Sequence, residues 1–298
     1  MATKQRSRAR RTPRDRTPRY VAPVLDPTWR SPYTPSGAER HANHRAVRAF
    51  AVRRRVPRAI AVGIICVALV VGVVVWPWLP VLAAAIALAY AWDFRRALTR
   101  DEHQGRALGP LLRERLSAGG TPTDATRLTT VIDRLSATFG VDRVGARVVA
   151  DATYNAALVP DDAGFTLIVT DALMSDLELI ELEGVVAHCL ARHRLGLIER
   201  QSLASVVSAT PEARAELAGV GATYRADEVA AASIRYPLGI AAALRRCAAQ
   251  APVAGSYFTS SDYDAQRWIW FDVHADRAEA DLSDLDDAEL RARALEEW

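Results

Sequence analysis

Residues 153–196 read TYNAALVPDDAGFTLIVTDALMSDLELIELEGVVAHCLARHRLG. TYNAALV and GFTLIVT are short, rich in β-branched and aromatic residues, and separated by the turn-like PDDAG, so both are expected to be strands. A third strand, ARVVAD, precedes them and ends at Asp151. After Thr170 the pattern changes to helical spacing: a short helix over DALMSDLELI, then a longer one beginning near Glu181.

Helical spacing continues on both sides. Upstream it covers residues 95–118, with Leu108, Leu111, Leu112 and Leu116 on one face, and residues 122–139, with Thr123 or Asp124 as the expected cap. Downstream it covers 176–206, 211–235, 237–250 and a charged last helix near 284–297. Helices before and after a small sheet define an α+β, mostly helical domain, here assigned residues 94–298.

Two further segments precede that domain. From residue 59 to 92 no side chain is charged: AIAVGIICVALVVGVVVWPWLPVLAAAIALAYAW. As one helix this run would be roughly 51 Å long, against a hydrocarbon core of about 30 Å. Pro77 and Pro80 break it near the middle, and Trp76 and Trp78 suit the headgroup level. The expectation is a two-helix transmembrane hairpin over residues 58–93, with arms at 59–76 and 81–92. Arg53, Arg54, Arg55 and Arg58 lie before it, and Arg95, Arg96 and Arg100 after it. The positive flanks place both termini on the cytoplasmic side of the cell (inner) membrane, with the bilayer as a partner.

Residues 1–57 are rich in Arg, Pro, Thr and Ser and are expected to be a disordered basic cytoplasmic tail. HANHRAVRAFAVRRR, near its end, has the makings of a short basic helix lying on the membrane surface. Residues 1–58 hold 16 of the chain's 38 Lys and Arg but three of its 35 acids, so a basic arm joins an acidic body. A polybasic segment beside a span is expected from topology alone, which ranks binding of anionic lipid or nucleic acid by the tail as an alternative. The three widely spaced cysteines, Cys66, Cys189 and Cys247, do not form a disulfide framework.

The 153–196 segment resembles the HtpX-like integral-membrane zinc metallopeptidases, relatives of the CAAX prenyl proteases. Asn155–Ala156, Thr170, Leu173, Leu177 and Val185–Val186–Ala187–His188 fall in register with that family's strand, turn and VlAHElaH helix. A second stretch, YRADEVAAASIRYPLGIAAALRRC at 224–247, is similar to its ExxAD…RYPxG helix pair. More loosely, Arg291 and Leu295 resemble the family's closing RixxL helix. The resemblance implies a zincin-like fold.

It also implies a site that this sequence lacks in most of its parts. In HExxH two histidines four apart share a helix face and bind zinc, the glutamate between them is the general base, and a third protein ligand completes the site. Here the first histidine is His188, the general-base position holds Cys189, the second-histidine position holds Arg192, and the third-ligand position holds Thr223. One imidazole does not hold zinc tightly, and a guanidinium repels it. Cys189 and His193 are four apart and form an alternative pair, but on a face rotated about 100° from that of His188.

Asp227 and Asn155 are expected to support the site. Arg192 is expected to stand in for the cation by pairing with Asp227 or Glu228, and Trp268, Trp270 and Phe271 to pack the core. The expected protein is a membrane-anchored metallopeptidase-like chain without hydrolysis and without a cofactor. It would act by binding unfolded or membrane-protein segments, or by regulating an active relative. An active zinc endopeptidase with atypical ligands is the alternative from a different class, and whether the chain is an enzyme stays open at this level.

Overall fold

The computed structural model describes residues 33–72, 76–162, 164–275 and 286–298. Three strands, β1 (Val144–Val149), β2 (Ala156–Asp161) and β3 (Gly164–Thr170), form a sheet in the order β1-β3-β2. β1 runs parallel to β3 and β2 antiparallel to it. The expected strands are therefore present, and helices dominate the remainder, giving an α+β fold.

Alternation along the strands decides which side chain faces which layer, because successive Cβ atoms point to opposite faces. Ala156, Leu158, Leu167 and Val169 join the larger core, and Ala157, Val159 and Ile168 the smaller one. Both faces are covered, so the strands read as near-continuous apolar runs.

The larger core is closed by α4 (Pro122–Phe139), α6 (Leu179–Arg194), α9 (Ala222–Ile234), α10 (Pro237–Ala249) and α12 (Ala288–Glu296). Short α5 (Asp171–Asp176) links β3 to α6. The smaller core holds α3 (Leu108–Arg115) and an aromatic group in which Phe258 stacks edge-on against Tyr263 and Trp270. Tyr263 belongs to α11 (Ser261–Gln266). The outer edge of β2 is taken by the chain itself, since Ala157 bridges Trp270 and Phe271 donates its amide to the Ala156 carbonyl at 2.7 Å.

Local chemistry sets the helix ends. Thr121, not Thr123 or Asp124, caps α4: it accepts from the Asp124 amide while the Asp124 carboxylate accepts from the Thr121 amide. This reciprocal box satisfies two amides that helix geometry leaves unpaired. The expected 176–206 helix is two, α6 and α7 (Leu197–Val206), broken at Gly196 in the left-handed region, φ 72°. The 211–235 helix is likewise split into α8 (Pro211–Ala218) and α9 by Gly219 and Gly221.

The N-terminal expectations need two corrections. Of the tail assigned to 1–57, residues 1–32 lie outside the described residues, but 37–57 are helical. They form the first part of α1 (Gly37–Val71), started by a Ser36–Glu39 capping box. This part is ordered against the body. Asn43 donates to the Leu195 carbonyl at 2.8 Å, Arg225 pairs with Glu39 at 2.7 Å, and Val47 and Phe50 pack beside Leu203 and Leu217. Composition alone missed this because arginines dominate the segment, although Arg53 and Arg54 themselves dock it, on Glu216 and the Ser208 carbonyl.

α2 (Leu79–Arg106) packs back along α1 after a turn at residues 77–78, with the Cys66 thiol donating to the Ala83 carbonyl at 3.5 Å. The paired helices form a hairpin, yet among the described residues no helix is long and apolar enough to cross a membrane, and no transmembrane hairpin is found. The uncharged run is shared between residues 59–71 of α1 and 79–92 of α2, with 73–75 outside the described residues. Arms of that length rise roughly 20 Å each, short of about 30 Å of hydrocarbon. Their outward faces carry exposed Ile64, Val67, Val71, Val81, Leu88 and Trp92.

One close approach fixes how α6 meets α10. A Cβ on Gly184 would come within 2.8 Å of the Ile240 amide nitrogen, and one on Gly239 within 2.8 Å of the Ile180 carbonyl oxygen. Gly184→Ala is therefore expected to lower stability by about 1–3 kcal/mol, although alanine is the better helix former. Urea unfolding of the full chain checks this; an unchanged or raised midpoint would show that the helices separate without cost.

Candidate functional site

α6 carries His188 and Arg192 one turn apart on one face and Cys189 on the next, all fully buried. α9 lies alongside it and supplies Asp227 and Thr223, which are almost completely buried. The β2 start supplies Asn155, and α12 brings Arg291 in from the far end of the chain.

These side chains form two polar clusters. In the first, His188 Nδ1 lies 2.6 Å from Asp227 Oδ1, and Arg291 grips the same carboxylate with Nε at 2.7 Å and Nη2 at 3.0 Å. Arg291 also donates to the Phe271 carbonyl at 2.6 Å, and the His188 ring meets the Phe271 ring edge-on at 5.1 Å. Burial drives the His188 pKa down to about 4, against the pull of Asp227, with Arg291 and Arg192 adding to the fall. The ring is thus neutral near pH 7, and its Nδ1–H donates to Asp227. Nε2 keeps its lone pair and has no hydrogen-bond partner. Burial raises the Asp227 carboxyl, but Arg291 and His188 outweigh it and hold the pKa below the usual aspartate value.

The second cluster belongs to Arg192. Its Nε donates to Gln201 Oε1 at 2.9 Å, and its Nη groups donate to the Ile269 and Trp268 carbonyls, the latter at 2.7 Å. Burial lowers its pKa to about 10, so it stays charged in neutral solution. The expected pairing of Arg192 with Asp227 or Glu228 is corrected here: Arg291 occupies Asp227, and Glu228 pairs with Arg225 at 2.9 Å. Arg192 instead ties α6 to α7 and to the segment leading into Trp270.

The other predicted residues have defined places. Thr223 donates to the Asp286 carboxylate, which also accepts the Gly221 amide at 3.1 Å. Cys189 sits in the core beside β2, and burial pushes its thiol up to about 11, so it is no thiolate near neutral pH. His193 faces elsewhere, edge-on to Phe165 at 4.5 Å. Asn155 exchanges two hydrogen bonds with the Asp272 backbone, at 2.9 and 3.0 Å, and helps seat Phe271 under His188. Trp270 and Phe271 are fully buried, and Trp268 packs against the α7–α8 cluster.

No protein-family model, curated protein or solved structure matches this chain. Its chemistry is accordingly read from its own side chains. Among the described residues, no three His, Cys, Asp or Glu side chains are grouped to hold a metal ion. The donor set does not fit zinc either. The set offers one imidazole, whose Nδ1 is taken by Asp227, two buried guanidiniums, and a carboxylate already engaged by Arg291 and His188. Such a cluster can hold helices together.

Sequence reasoning matched Arg291 to a family pattern but missed its pairing. A signal was available: Ala288, Ala292 and Leu295 share its helix face, so an arginine stands on an apolar stripe and must find a buried partner.

Two measurements test the cluster. Asp227→Ala leaves Arg291 buried without its counter-charge and is expected to cost about 3–5 kcal/mol, read as a denaturant midpoint shift. The His188 value lies below the ordinary 6.5, so the unfolded chain takes up that proton first. Its contribution is full above about pH 6.5 and is lost as the pH falls toward 4. The melting temperature should fall over that window, and fall less in His188→Gln; parallel pH profiles for the two proteins would refute the assignment.

Proposed function

We propose that this chain is a degenerate relative of the HtpX-like membrane metallopeptidases. In this reading it is bound to the cytoplasmic face of the cell membrane by its apolar hairpin and works by binding or regulation instead of hydrolysis. The observation that carries this reading is the fixed charge at the ancestral centre. His188, at the one matching ligand position, is engaged by Asp227 and Arg291, and Arg192 occupies the second-ligand position with its own set of acceptors.

The family's third ligand corresponds to Thr223, which is committed to Asp286. Each of these side chains has a structural role that zinc coordination would disrupt, and a guanidinium cannot be deprotonated to make way for a cation. The zincin-like fold is part of the same proposal. It is supported by the motif register over 153–196 and 224–247 and by the placement of α6 against α9.

The anchoring half rests on the exposed apolar faces of residues 59–71 and 79–92 and on the arginines at both bases of the hairpin. Isolated apolar residues are common on surfaces, but a contiguous patch of this kind marks an interaction face. A hairpin entering and leaving on one side keeps both termini cytoplasmic. The binding partner in this reading is an active relative or a membrane-protein segment. It would be reached without opening the β2 edge, which Trp270 and Phe271 already fill.

Zinc stoichiometry of the purified full chain tests the first half. A value near zero, unchanged in His188→Ala and accompanied by no chelator-sensitive proteolysis, is expected. One zinc per chain, lost in His188→Ala, would establish the active endopeptidase instead. For the second half, the chain should resist alkaline extraction from membranes, and replacing Ile64 and Leu88 by aspartate should release it.

A further inference from the structure

At the base of the hairpin, where α1 and α2 meet the end of α7, lies a cavity of about 410 Å³. Four guanidiniums line it: Arg54, Arg55 and Arg58 from α1 and Arg100 from α2. Among the described residues one carboxylate, Asp93, faces the same space, and Gln104 adds a neutral polar group. Two of the arginines are held in place. Arg54 reaches across to the Ser208 carbonyl at 2.6 Å, and Arg55 donates to the Ala51 carbonyl at 2.9 Å while lying over the Phe94 ring at 5.9 Å. Arg58 and Arg100 are exposed and come from opposite helices.

We propose that this cavity binds the headgroup of an anionic glycerophospholipid. Its place argues for a lipid. The apolar arm of α1 begins at residue 59, directly after Arg58, and the apolar part of α2 ends at Trp92, next to Asp93. A phospholipid whose acyl chains lie along the hairpin therefore brings its phosphodiester to the Arg58 end of the cavity, with Arg100 roughly 12 Å of helix beyond Trp92 on the side away from the apolar arms. Guanidinium forks suit phosphate oxygens, and Asp93 and Gln104 can accept from the hydroxyls of a glycerol headgroup. The site rests on the hairpin anchoring proposed above and adds to it a preference among lipids.

The test compares the full chain on phosphatidylcholine vesicles with vesicles containing roughly one third phosphatidylglycerol, at fixed salt. Tighter binding to the anionic vesicles is expected. Arg58→Gln/Arg100→Gln should lower that binding by clearly more than the roughly twenty-five-fold, fivefold per arginine, that losing two charges near an anionic surface brings by itself. Arg95→Gln/Arg96→Gln removes equal charge from the hairpin base outside the cavity lining and should lower it far less. An equal loss in the two double variants would mean diffuse attraction and overturn the site, as would equal wild-type affinity for both vesicles. Abolition of the preference by inorganic phosphate at matched ionic strength would assign the cavity to a soluble anion and also overturn it. A chain that binds neither vesicle refutes the anchor itself, which separates the two failures.

Discussion

Asp227 is a carboxylate with almost no exposure, and three helices converge on it. Removing an ionised carboxylate from water costs several kcal/mol even after relaxation, so its presence requires close compensation. Arg291 from α12 supplies a two-pronged grip and His188 from α6 a third donor. Remove any one and the others keep their desolvation cost without the matching attraction. α6, α9 and α12 are thereby locked at a common point, and the larger core is packed around it. Arg291 extends the lock to Phe271, whose amide in turn holds the edge of β2.

Arg192 shows a different solution to the same difficulty. Among the described residues no carboxylate pairs with it directly; its donors are shared among a side-chain amide and two backbone carbonyls. Neutral acceptors stabilise a buried cation less than an anion would, which agrees with the fall of its pKa while Arg291 is held above the ordinary value. The two arginines therefore do separate jobs. Arg291 neutralises Asp227, and Arg192 orders the segment that runs beneath the sheet edge.

Much of this arrangement was legible in the residues. Strand alternation in TYNAALV and GFTLIVT and the boundaries of α4 followed from periodicity. Which arginine meets Asp227 did not, because residues 192 and 291 are both compatible with helix phase and only the path of the chain over 267–275 decides between them. The basic helix at 37–57 was hidden for another reason. Its arginines dominate composition, while the few uncharged residues that dock it, Asn43, Val47 and Phe50, are spaced too sparsely to dominate an average. The apolar run after residue 58 was plain, but its division by the turn at 77–78 leaves each described arm short.

α1 passes from its docking contacts with the body into the apolar arm as one helix of 35 residues, with no loop between. A flexible tether would let the globular part sample many heights and tilts above whatever surface the arm engages. A continuous helix narrows that range, with Pro57, which donates no backbone hydrogen bond, as the place where it can bend. The orientation of α9 and of the sealed histidine relative to that surface is thus set by helix geometry. A torque on the arm would be delivered to the body at Leu195, Glu216 and Arg225, where α1 is fastened.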